Sequence, residues 1–111
     1  MIHTCHAHGC KQAVPARMFV CRAHWHALPK KFQNAIWKEY RAGQEIDKKP
    51  TYRYLAVQQL AVMKLAFKPH DEDAARICAG YLESAIRWQQ RAIEAGQGDP
   101  LVGLVPSERQ A

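Results

Sequence analysis

From residue 28 onward, apolar residues return at helical spacing. Placed at about 100° per residue, Leu28, Phe32, Ile36 and Tyr40 form one stripe, which predicts a helix over Lys30 to Ala42 closed by Gly43. Gln44 to Pro50 is polar and reads as a loop. Thr51 can cap a second helix from Tyr52 to about Phe67, where Tyr52, Leu55, Ala56, Leu60, Val62, Met63, Ala66 and Phe67 share half of the wheel. Pro69 ends it. Asp71, Glu72 and Asp73 then suit the positive end of a third helix, which should run to Ala95 before Gly96. On that helix Ala74, Ile77, Cys78, Tyr81, Leu82, Ala85, Ile86, Trp88, Ala92 and Ile93 occupy one half and Arg76, Glu83, Arg87, Gln90, Arg91 and Glu94 the other. So broad a stripe could close the monomer's core or form the seam of a homodimer. The expected core is Leu28, Phe32, Ile36, Leu55, Leu60, Met63, Phe67, Cys78, Leu82 and Ile86.

The first 28 residues follow neither period. Gly9 and Pro15 punctuate them, Met18-Phe19-Val20-Cys21 is the one strand-like run, and a helix should open around Arg22. Beyond Gly96, the residues Gly98, Pro100, Gly103 and Pro106 predict an extended or loosely attached strap over 96–111.

What the first quarter lacks in apolar residues it holds in metal-binding ones. Five of the six histidines and three of the four cysteines fall within residues 3–26. Cys5 and Cys10, then Cys21 and His24, make two close pairs of the donors that tetrahedral zinc prefers. So short a segment could hardly fold by burial alone, whereas structural zinc contributes on the order of 10 kcal/mol or more. His6, His8 and His26 lie near enough to replace one member, and His8 in place of Cys10 is the first such exchange to consider. Four protein ligands would leave no position open for a substrate, so the metal reads as structural. Cys78 sits mid-stripe on the third helix and reads as an inert packing residue.

The fold class predicted is therefore mainly α: a treble-clef-like zinc finger over 1–28 packed against about three helices over 29–95. At 111 residues the chain suits one domain, here 1–95, with the tail outside it. No run of about 18 apolar residues occurs and the N-terminus lacks a secretory core, so the expectation is a cytoplasmic protein with no membrane span.

The motif Cys5-x4-Cys10, Val14-Pro15, Met18-x2-Cys21-Arg22-x-His24-Trp25, Leu28-Pro29, then Ile36-Trp37-x2-Tyr40-Arg41-x-Gly43-Gln44-Glu45, resembles small zinc-finger-like proteins of unassigned function in tailed phages and prophages. The resemblance covers residues 5 to about 65. It implies a phage-encoded accessory protein acting in the host cytoplasm, of a kind that often binds nucleic acid or disables a host protein.

Charge points the same way. The chain carries a net +6, with +9 over residues 1–68 and −3 over 69–111, which favours polyanionic or acidic partners. Opposite the Leu28 stripe, Lys30, Lys31, Asn34, Trp37, Lys38 and Arg41 share an arc on which lysines could meet phosphates and the indole could stack on a base. The plainer reading buries Trp37 beneath another element, as small proteins ordinarily use tryptophan. The function expected is a zinc-containing, non-enzymatic binding protein whose basic face contacts nucleic acid or an acidic host protein. The alternatives are an inhibitor of a host defence or transcription complex (an anti-defence or anti-CRISPR type of protein) acting by steric occlusion and, less favoured, a small zinc-dependent nuclease. No His-Glu-x-x-His or deaminase signature supports catalysis.

Overall fold

The computed structural model describes residues 2–104. Strands β1 (Ile2–Thr4) and β2 (Ala13–Pro15) form an antiparallel hairpin in which His3 faces Val14. Helices α1 (Arg22–Ala27), α2 (Lys30–Glu39), α3 (Gln44–Asp47), α4 (Tyr52–Ala66) and α5 (Glu72–Glu94) follow. The protein is mainly helical, with the cysteine-rich segment packed against the helices.

Helix α4 is the central element. Tyr54, Ala56, Val57, Leu60, Ala61 and Val62 are buried on several of its sides because α2 and α5 both pack on it. Its start is fixed by Thr51, whose hydroxyl accepts the Tyr54 N–H at 3.0 Å. Asp71 caps α5 in the same way, accepting from the N–H of Ala74 at 2.9 Å.

Several expectations need correction. Met18–Cys21 is not a strand: the hairpin uses Ile2–Thr4 and Ala13–Pro15, while Phe19 and Val20 turn into the core. Helix α2 stops at Glu39, and Gly43, at φ 87°, opens the single turn α3 within the expected loop. That turn is tied by Asp47, which accepts from Arg41 at 2.5 Å and from the Lys49 N–H at 2.9 Å. Phe67 lies just past the last turn of α4 and is 57% exposed, off the helical stripe. Leu82 and Ile86 are 38% and 40% exposed. The cause is the narrow α5 seam, Ala74, Cys78, Tyr81, Ala85, Trp88 and Ala92, whose alternating spacing of four and three faces α4. Small residues let α4 come close, so the bulkier neighbours are left on the flank.

Residues 100–104 form turns instead of running extended, and Leu101 and Leu104 are buried in the core. Arg53 fixes this strand of chain to the body: it donates to both Glu39 oxygens, at 2.9 and 2.8 Å, and to the Gln97 carbonyl at 2.6 Å. Pro106 and the rest of the tail lie outside the described residues.

Candidate metal centre and basic face

The hairpin continues one residue past β1, with the Cys5 N–H donating to the Gln12 carbonyl at 2.8 Å. A turn then brings Cys10 back, its N–H donating to the Ala7 carbonyl at 3.0 Å. Gly9 makes that turn at φ 80°, a conformation that side chains oppose. Cys21 is the residue before α1, and His24 stands three positions on, along the same helical face. The His6 N–H reaches the Phe19 carbonyl at 3.2 Å and draws the loop against the α1 entry.

These constraints bring Cys5, Cys10, Cys21 and His24 together, with all four donor atoms within 4.8 Å of one another. Nδ1 of His24 lies 3.2 Å from Sγ of Cys21 and 3.6 Å from Sγ of Cys5. Cys5 is buried and the other three are half-buried. The four thiols of the chain are free of disulfides. Burial pushes the Cys5 thiol up. The backbone of His24, hydrogen-bonding Sγ of Cys21, brings that thiol down to about 7, helped by the His24 ring and by Cys5 and Cys10. The group could hold a metal ion.

The other histidines have separate work. His8 meets the Tyr81 hydroxyl through Nδ1 at 3.0 Å, His6 stacks on Phe19, and His26 is exposed on α1. Through Nε2, His3 hydrogen-bonds the Met18 carbonyl at 2.7 Å and staples the hairpin. Cys78 is buried away from the group, with its thiol on the Met63 carbonyl at 3.4 Å.

Searched against protein-family models, curated proteins and solved structures, the chain matches none. Its chemistry therefore rests on its own side chains.

On α2, Lys30, Lys31, Asn34 and Lys38 are exposed, and Trp37 is 56% exposed. The indole makes T-shaped contacts with Trp25 at 6.1 Å and with Tyr40 at 5.7 Å, so it is held without being fully covered. Trp25 follows His24 directly on α1. Gln33 locks that helix to α2 by donating to the carbonyls of Trp25 and Leu28. Arg41 departs from the expected arc: its guanidinium turns to Asp47 and the Lys49 carbonyl, because the α3 turn places a carboxylate within reach. The hydrogen bond and charge of Arg41 hold the Asp47 carboxyl below its ordinary range. Among the described residues no helix is long and apolar enough to cross a membrane.

Proposed function

We propose that the protein is a zinc-stapled binding module that takes single-stranded nucleic acid on α2. The observation that carries this reading is the exposure of Trp37 amid Lys30, Lys31 and Lys38. An indole more than half exposed offers surface on which a base can stack, and lysines beside it can meet the phosphates.

Zinc fits the donor set. With Zn–S near 2.3 Å and Zn–N near 2.0–2.1 Å, a tetrahedral ion sets sulfur–sulfur edges of about 3.8 Å and sulfur–nitrogen edges of about 3.6 Å. The His24 separations of 3.2 and 3.6 Å need only small adjustments. Cys5, Cys10, Cys21 and His24 would fill the shell, so the metal would serve as a staple. It would hold α1, and with it Trp25, against α2. The resemblance to tailed-phage proteins suits an accessory factor of this kind.

The test is binding of a fluorescent oligothymidine to the zinc-loaded protein as a function of salt. Three phosphate contacts predict a log–log slope of about −2, since each contact contributes about 0.7 on a single strand. Lys31→Glu with Lys38→Glu should abolish binding with zinc content and circular dichroism unchanged. Binding that survives this double reversal would reject the α2 face and favour a protein partner.

A further inference from the structure

A second site lies on the other side of Tyr40. The end of the hairpin, α3 and the first turns of α4 enclose a cleft of about 420 Å³, within the size range of small-molecule sites. Its walls include Phe19, Tyr40 and Tyr54. Tyr40 meets Tyr54 at 6.3 Å and 65°, while His6 stacks on Phe19 at 5.6 Å, so the wall is built of rings held by one another.

Two further features select a ligand class. Among the described side chains Arg17 and Lys48 line the cleft, no Asp or Glu does, and neither cation forms an ion pair. Gln44 is 7% exposed, the most buried polar side chain described. Its Oε1 accepts the Arg41 N–H at 2.9 Å, which fixes the orientation of the amide. Nε2 is thus the remaining atom, with no partner among the described residues, on a side chain that lines the cleft. Aromatic walls, an amide donor left open to solvent and two cations outside any ion pair together suit a ligand with a flat ring, an acceptor on that ring and an anionic group.

We propose that this cleft binds a single nucleotide, its base against the Phe19, Tyr40 and Tyr54 rings and the Gln44 amide, its phosphate on Arg17 and Lys48. The site uses none of the α2 lysines, so it stands or falls separately from the α2 reading. The nucleotide could be free or the end of a strand, since Tyr40 touches Trp37 on one side and Tyr54 on the other.

Isothermal titration of the zinc-loaded full chain with uridine and adenosine monophosphates, uridine, adenosine and inorganic phosphate tests the site. In parallel, oligothymidines with and without a 5′-phosphate are titrated. Saturable binding of a monophosphate, tighter than its nucleoside, identifies a free nucleotide. Preference for the 5′-phosphorylated strand without mononucleotide binding identifies a strand end. In either arm Arg17→Ala with Lys48→Ala should weaken binding about tenfold or more, as loss of charged hydrogen bonds does. Gln44→Glu, which keeps the acceptor for Arg41 and replaces the donor, should do the same with circular dichroism unchanged. Lys31→Glu with Lys38→Glu should leave mononucleotide binding intact. Inorganic phosphate binding as tightly as any nucleotide, or nucleotide binding indifferent to the Arg17, Lys48 and Gln44 changes, would overturn the proposal.

Discussion

Replacing Trp37 by alanine separates a binding platform from a structural strut. A fully buried tryptophan cut to alanine costs about 3–5 kcal/mol. Trp37 is 56% exposed, and less than half of that burial is at stake. Its edge contacts with Trp25 and Tyr40 are part of the same loss. The variant should therefore unfold in urea with a stability lowered by about 1–2 kcal/mol. A base stacked on the indole would be worth about 1–3 kcal/mol, so oligothymidine affinity should fall about 5- to 160-fold. Urea titration and fluorescence anisotropy measure the two terms on one preparation. A loss of about 3–5 kcal/mol in stability with unchanged affinity would refute the platform and make Trp37 a strut.

The metal centre and the tail make two independent predictions. Cys21→Ser should lose stoichiometric zinc and several kcal/mol of coupled folding energy, whereas Cys78→Ser, whose thiol meets only the Met63 carbonyl, should keep its metal. Elemental analysis with thermal unfolding reads both, and a Cys21→Ser protein with a full zinc complement would reject the ligand assignment. Arg53→Met should leave Glu39, whose side chain is 10% exposed, without its cation. Breaking such a pair costs about 3–5 kcal/mol when fully buried, and water admitted at the 23% exposed Arg53 side chain lowers that to about 2–3. A second change, Glu39→Gln, should recover part of the loss in urea titrations. No recovery would mean that Arg53 acts through the Gln97 carbonyl alone.

The four donors were legible because metal chemistry fixes both residue types and spacing, whatever the fold. Helices α4 and α5 were legible through period and caps, since Thr51 and Asp71 do what short polar side chains do at helix starts. What could not be read was set by contacts between distant segments. The strands around Ala13–Pro15 pair over only three residues, too few for a period of two to stand out. Leu82 and Ile86 look like core residues on a wheel, yet how much of a stripe is covered depends on the width of the facing helix. The smallness of Ala74, Ala85 and Ala92 was the available signal, because small residues mark the line of closest approach. Arg41 shares an arc with Lys38 by spacing, but a carboxylate six residues on competes for it. Gln44 carried no sequence signal of burial beyond its place after Gly43.

The two proposed surfaces share one scaffold, and the candidate metal ligands stand at its origin. The turn between β2 and Cys21 forms one side of the cleft through Arg17, Met18 and Phe19. One residue beyond His24, Trp25 supports Trp37 on α2. Tyr40 touches Trp37 and Tyr54, so a single ring borders both surfaces. None of the lysines on α2 and neither Arg17 nor Lys48 belongs to the donor group, yet each surface adjoins a segment that a bound metal would pin in place. On the proposed reading, a finger in this arrangement would act by fixing where aromatic rings stand, and the charges around those rings would decide what they hold.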